Sequence, residues 1–320
     1  MERETMKHSI AIDLGGTIIK VGLLKDGQLI DHMEIHAHSS SGLRSELTEL
    51  EAAINQILWS NQLQKEDILG IGFSFAGLVD SVNNRILSTN HKYDDGPEID
   101  LVAWARDRWN CPLVAENDAR MALLGEWQYG AGKGHRDLVM VTLGTGIGTA
   151  VLIRGELLRG EHFQAGNLGG HFVINHHGTL CTCGNIGCVE SEASTWRLPS
   201  LLKEHPGFSE STLRNEEVLD FKALFHHAEN NDRVACEVLS HSLSAWAAAI
   251  ISMIHAFDPE MVILSGGIMK SSAIILPALQ QKVNTLAWTP WGKVQLAQAH
   301  HPDAAALYGA DFLVRSTLTP

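Results

Sequence analysis

Apolar residues recur along this chain in two rhythms. Stretches such as "SIAIDL", "DILGIGFSF" and "LVMVTL" are almost unbroken apolar runs of strand length, and they read as buried strands. Other segments follow a helical rhythm. Between Leu43 and Leu58, the residues Leu43, Leu47, Leu50, Ile54, Ile57 and Leu58 return at helical spacing. "DLVAWARDRW" is helical, "CPLVAEN" is a strand, and "ARMALLGEWQYG" is a helix closed by Gly130. Further on, "DRVACEVLSHSLSAWAAAIISMIHAF" reads as a long buried helix stopped at Asp258-Pro259. "EMVILSGGIM" is a strand entering a Gly-Gly turn and then another helix. Polar loops are expected at His38–Gly42, His91–Pro97 and Glu204–Glu217. Strands alternating with helices in this way predict an α/β fold class.

Two segments share one build. "SIAIDLGGTIIKVGLLKDGQLID" reads as strand, tight glycine turn, strand, hairpin turn, strand. "LVMVTLGTGIGTAVLIRGELLRG", Leu138 to Gly160, repeats that order. Setting Thr142 under Asp13 aligns Leu143 with Leu14 and Gly144 with Gly15. It also aligns Leu152-Ile153-Arg154 with Leu23-Leu24-Lys25. The match predicts an internal duplication. Glycine-turn hairpins are common enough that chance resemblance is the competing explanation.

Length and composition narrow the function. The 320 residues suggest about two domains, and 45% hydrophobic with 19% charged residues suffices for sizeable cores. No window holds the roughly 18 uninterrupted apolar residues of a membrane span, and the start lacks a signal-peptide core. A cytoplasmic location without membrane partners is therefore expected. A net charge of −13 argues against nucleic acid as the main partner. Three of the five cysteines crowd into Cys181–Cys188, a pattern that in a reducing compartment points to metal or chemistry.

Several motifs can carry that chemistry. In "DLGGT", Asp13 to Thr17, glycines let backbone N–H groups approach a phosphate, and Thr17 adds a hydroxyl. Asp13 can hold magnesium, usually through water. "LGTGIG" offers a second such turn with Gly144, Thr145 and Gly146, and "SGGI" a third with Gly266 and Gly267 at a strand–helix junction. Each alone could be turn chemistry; all three directly follow apolar strands. "ENDA" places Asp118 at the end of another apolar strand, either to cap the next helix or to accept a proton from a substrate hydroxyl. The spacing His171-x9-Cys181-x-Cys183-x4-Cys188 fits tetrahedral zinc, with His176 and His177 as rival ligands and a disulfide as the bland alternative. Four protein ligands would make the site structural.

Taken together these residues resemble the ROK family of sugar kinases, within the actin-like ATPase superfamily, over nearly the whole chain. "DLGGTIIKVGL" and "LGTGIGTAVL" are similar to its two phosphate motifs, and "SGGI" to its adenosine-side motif. "VAENDARMALLGE" resembles its catalytic segment, which implies Asn117 on the sugar and Asp118 as general base. "CTCGNIGCVE" is the most specific match; it implies zinc on Cys181, Cys183 and Cys188 and a sugar contact from Glu190. The family histidine corresponds to His171, able to ligate zinc with one nitrogen and face sugar with the other. "SFAGLVD" implies Gly77 at the sugar's border. The resemblance further implies two actin-like, ribonuclease H-like α/β domains around a cleft, with a zinc-binding loop. The expected domains are residues 1–116 with 305–320, the last helix returning to the N-terminal domain, and residues 117–304. A homo-oligomer, often a dimer, is also implied. The family's repressors carry an N-terminal helix-turn-helix, for which no room is expected before the first strand.

One departure stands out. The family run Gly-Glu-x-Gly-His appears here as "AGNLGGH", with Asn167 in place of glutamate and an extra glycine before His171. Asparagine both donates and accepts, whereas ionised glutamate only accepts, so sugar preference should shift. The resulting expectation is an ATP- and magnesium-dependent kinase acting on a hexose-like sugar at its 6-hydroxyl, glucose or a relative. The competing expectation is a catalytically silent sugar sensor. An actin-like structural ATPase fits the zinc loop poorly.

Overall fold

The computed structural model describes residues 7–89 and 91–318. The chain opens with β1 (His8–Leu14), β2 (Ile18–Lys25) and β3 (Gln28–His36), then α1 (Leu43–Ser60). There follow β4 (Ile68–Phe75), the short pair β5 (Gly77–Asp80) and β6 (Arg85–Thr89), α2 (Leu101–Trp109), β7 (Leu113–Asn117) and α3 (Asp118–Tyr129). Next come β8 (Leu138–Leu143), β9 (Ile147–Ile153) and β10 (Glu156–Leu157), then α4 (Val189–Ala193), α5 (Leu198–Glu204) and α6 (Phe221–Glu229). The long α7 (Arg233–Phe257), β11 (Met261–Ser265), α8 (Ser272–Leu286), β12 (Gln295–Gln298) and α9 (Ala305–Leu318) complete it. The α/β expectation holds.

Two compact units emerge. The first gathers the chain up to Gly134, Arg159–Ala165 and the stretch from Asp303 onward; the second holds His135–Leu158 and Gly166–Pro302. The first unit's sheet runs β3-β2-β1-β4-β7, the second's β10-β9-β8-β11-β12. Each opens with an antiparallel meander and adds parallel strands. The duplication read from sequence is therefore a repeated sheet topology. The glycine turns differ by one residue, since Leu14 pairs with Ile19 whereas Leu143 pairs with Ile147.

Each unit has its own core. Ile10, Ile12, Val21, Phe73 and Ile54 are wholly buried in the first, where α1 lays its apolar stripe on the sheet. Val139, Val151, Trp246, Ile250 and Leu264 fill the second. Helix α7 is long and apolar enough to cross a membrane, but more than half of its apolar stretch is buried inside the protein. Its apolar side packs into the second unit's core, where Trp246 meets the Phe221 ring, as a core helix requires.

The first unit reaches further than the 1–116 boundary expected from sequence. Helix α3 belongs to it because Gly309 of α9 meets α3 so closely that a Cβ there would strike the carbonyl of Met121. The segment Arg159–Ala165 joins it through buried charge. Arg120, fully buried, donates to the carbonyls of Phe163 (3.1 Å) and Ala165 (2.6 Å). Glu116, also fully buried, lies 3.5 Å from Arg120 and accepts from Arg159 Nε at 2.8 Å. The Asp303 carbonyl accepts from Lys20 at 2.6 Å.

Candidate active site

In the first unit, β1 ends at Asp13 and the chain turns through Gly15, Gly16 and Thr17. Asp13 Oδ1 accepts from Ser74 on the neighbouring β4 at 2.8 Å. Its other oxygen takes no hydrogen bond among the described residues, which leaves it able to hold a hydrated cation. Burial raises the Asp13 carboxyl above its ordinary range, against the opposing pull of Ser74 and Lys20.

Asn117 and Asp118 sit at the junction of β7 and α3. Asn117 is the helix N-cap, accepting from Arg120 N at 3.2 Å. Its amide donates to the Gly77 carbonyl (3.0 Å) and to Asp118 Oδ1 (2.8 Å), so Gly77, Asn117 and Asp118 form one connected group. Asp118 Oδ1 also accepts from Ala119 N at 2.8 Å. The half-buried carboxyl is pushed up to about 6, mainly by desolvation and then by the nearby Asp13 charge; Ala119, Asn117 and Lys92 pull the other way. Asn117 is thus the cap, and the Asp118 carboxyl beside it is left in a range where it can gain or lose a proton near neutral pH.

The second unit holds a parallel arrangement. The turn Gly144–Gly146 follows β8, and Gly266 follows the adjacent β11, whose Ser265 pairs with Thr142. Gly266 adopts φ +94°, and a Cβ there would collide with the Leu143 carbonyl, so the second and third glycine turns touch. Glu190, on α4, accepts from Ile147 N at 2.8 Å and lies against Gly146. Thr195 and Trp196 donate backbone N–H groups to the carbonyls of Gly144 and Thr145 at 3.1 and 3.3 Å.

The cysteine loop closes on itself. The ligand atoms of His171, Cys181, Cys183 and Cys188 all lie within 4.8 Å of one another. Cys181 Sγ is 3.6 Å from His171 Nδ1, and Cys183 Sγ is 3.7 Å from Cys188 Sγ. A tetrahedral ion with sulfurs about 2.3 Å away separates them by about 3.8 Å, so the donor set fits zinc, and the sulfurs are too far apart for a disulfide. His176 and His177 stack on each other at 3.9 Å, exposed and outside this group. Gly184 and Gly187 take φ of +87° and +71°, and the Gly187 position would clash with the Asn175 carbonyl if it carried a Cβ.

Asn167 precedes this cluster. Gly169 N donates to Thr149 Oγ1 at 2.8 Å, and Thr149 Oγ1 donates to the Gly166 carbonyl at 2.9 Å. Both glycines of "GGH" are buried: Gly170 packs on the Ile147 carbonyl and Gly169 on Thr149 and Met253. The extra glycine thus lets the chain press against β9. Asn167 Oδ1 is buried yet accepts no hydrogen bond from the protein.

Sequence reading missed two groups. One is the Glu116–Arg120–Arg159 cluster, which looks in sequence like ordinary helix and loop charge. The other is Lys92, inside a loop noted only as polar.

A ROK family model matches residues 9–317. A glucokinase of Thermotoga maritima is 32% identical over 280 residues, covering 86% of this chain and 86% of that protein. A xylose repressor of Bacillus subtilis is 28% identical over 89% of this chain and 71% of its own length. A ROK family glucokinase from Streptomyces griseus, solved with glucose and AMPPNP, superposes with a TM-score of 0.79 at 26% identity, covering 97% of this chain and 99% of that one.

Proposed function

The chain belongs to the ROK family, and on that footing we propose that it is an ATP-dependent sugar kinase acting on the 6-hydroxyl of glucose or a related hexose. The observation that carries the proposal is Asp118. It is a half-buried carboxylate at a strand end, fixed by Asn117 and Ala119, with a protonation range near neutral. The glucokinase relatives support the same reading.

In this mechanism Asp118 accepts the proton of the sugar hydroxyl as its oxygen attacks the γ-phosphorus. The new O–P bond forms, the bond to the bridging oxygen breaks, and ADP leaves. In the first unit, Asn117 and the Gly77 border are the proposed sugar contacts, and the N–H groups of the turn at Gly15–Thr17 the proposed phosphate donors. In the second unit, Glu190, His171 through Nε2 and the unpartnered acceptor of Asn167 are the proposed sugar contacts, and the turns at Gly144–Gly146 and Gly266–Gly267 the proposed nucleotide donors. Magnesium, held by Asp13 through water, would neutralise phosphate charge. Zinc on His171, Cys181, Cys183 and Cys188 would fix the loop that carries Glu190 and orient the His171 ring. We place the reaction in the cytoplasm, where ATP is supplied, and take the working form to be a homodimer.

A second reading, a sugar-binding regulator without turnover, draws on the xylose repressor relative. Asp118 and Asp13 argue for the enzyme, since a sensor has no use for a base. A coupled ATP assay across hexoses, N-acylhexosamines, disaccharides and inositols tests the proposal. Turnover on a hexose supports it; sugar binding without ADP formation overturns it in favour of the regulator.

A further inference from the structure

Lys92 stands on a loop built to hold it still. Tyr93, 1% exposed, donates its hydroxyl to the Gly15 carbonyl at 2.6 Å and its backbone N–H to Ser39 O at 2.8 Å. Asp95 accepts from the first N–H groups of α1, at Leu43 and, at 3.0 Å, Arg44. Asp94 accepts from Thr89 Oγ1 at 2.6 Å. His91 and Tyr93 both adopt left-handed φ, +56° and +59°, which non-glycine residues rarely hold without compensation. The loop is therefore bolted to the first glycine turn on one side and to α1 on the other.

What it presents is a cation. The Lys92 side chain lies over Gly16: a Cβ there would sit 2.6 Å from Nζ and 2.7 Å from Cε. Nζ makes no ion pair or hydrogen bond among the described residues, although Asp118 lies near enough to feel its charge. A lysine serving only the fold would be expected to pair with that carboxylate. On the kinase reading the turn at Gly16 offers N–H groups to phosphate, and the glycine's lack of a side chain makes room for this ammonium.

We infer that Lys92 binds the terminal phosphate of the nucleotide and stabilises the phosphoryl group in transfer, a role that rests on the kinase reading above. An ammonium over a glycine phosphate turn adds a mobile point charge to fixed backbone donors. It faces the phosphate that ATP has and ADP lacks. It also offsets the negative charge that Asp13, Asp118 and the phosphate would otherwise crowd together.

The experiment compares wild type, Lys92→Met and Lys92→Arg. Calorimetry gives the affinities for ATP and ADP, and turnover is followed against pH. Lys92→Met should lose ATP affinity by roughly tenfold to a hundredfold while ADP binding changes little, and kcat should fall by roughly 10²–10³-fold. Lys92→Arg, keeping the charge, should restore most of the preference for ATP. The groups facing Asp118 are Asp13 of β1, Lys92, the Asn117 amide and Ala119 N–H; losing Lys92 should move the acid limb of kcat/KM upward, since it opposes protonation there. An unchanged ATP-to-ADP preference in Lys92→Met, or a kcat loss with an unmoved acid limb, overturns the inference while leaving the kinase reading intact. A changed sugar KM with unchanged nucleotide preference overturns it also, assigning Lys92 to the sugar. A wild type that binds neither nucleotide overturns both.

Discussion

Asp118→Asn separates catalysis from stability in opposite directions. The substitution keeps shape and a carbonyl oxygen able to accept from Ala119 N and the Asn117 amide, but it cannot take a proton from a sugar hydroxyl. Turnover should fall by roughly 10²–10⁴-fold with sugar binding largely kept. Stability should rise. The carboxyl is lifted from 3.8 to about 6, which corresponds to about 3 kcal/mol against the charged form at neutral pH; solvent at its exposed edge trims this to about 2 kcal/mol. The sign follows from proton binding. Between pH 3.8 and 6 the folded state holds this proton more tightly than the unfolded chain does, so the penalty grows as pH rises through that window and is full above it. A neutral asparagine escapes the penalty at pH 7 and gains nothing at pH 3.5, where the native carboxyl is already protonated. Thermal or urea unfolding at both pH values, beside a kcat/KM profile, forms the assay. Wild type should lose activity tenfold for each pH unit below about 6. An acid limb near pH 4, or an Asp118→Asn protein that is active or whose stability gain over wild type is no larger at pH 7 than at pH 3.5, would refute this assignment.

Three further outcomes follow from the same geometry. Purified protein should carry about one zinc per chain, and Cys183→Ser should lose metal and activity together, because the loop bearing Glu190 has little apolar surface to hold its shape; metal analysis with an activity assay checks this. Asn167→Glu should shift relative kcat/KM among sugars differing at the C1–C2 edge by roughly ten- to a hundredfold and leave ATP affinity nearly unchanged; a sugar panel run on both proteins decides it. Gly309→Ala should destabilise the first unit by roughly 1–3 kcal/mol or more, measured by urea unfolding, because its Cβ would overlap the Met121 carbonyl across the α3–α9 crossing.

What could be read from the sequence was local. The meander β1-β2-β3 and its twin around β8 and β9 declare themselves within two dozen residues each, because strand rhythm and glycine turns are neighbours in sequence. The cysteine spacing declares itself for the same reason. Asp118 was visible as a carboxylate after a strand, though only the structure shows that its neighbour Asn117 is the helix cap. The unread features all depend on distant partners. Gly125 and Gly309 meet across a helix crossing that no window spans. Arg120 looks like a solvated helix charge until Glu116 and the carbonyls of Phe163 and Ala165 enclose it. Lys92 sits in a polar loop without periodicity, and its meaning comes from Tyr93 reaching Gly15, 78 positions away. The glycine before His171 reads in sequence only as an extra residue; burial of both Gly169 and Gly170 against β9 gives it a packing reason.

On the proposed function, this chain moves the terminal phosphoryl group of ATP to a sugar hydroxyl. Phosphorus NMR of wild-type protein with ATP, magnesium and glucose, and with the other sugars in turn, follows that group directly. A sugar 6-phosphate resonance should grow in step with ADP, with little inorganic phosphate, and no such growth should occur with Asp118→Asn. ATP left intact with every sugar, or consumed only to inorganic phosphate, would contradict it.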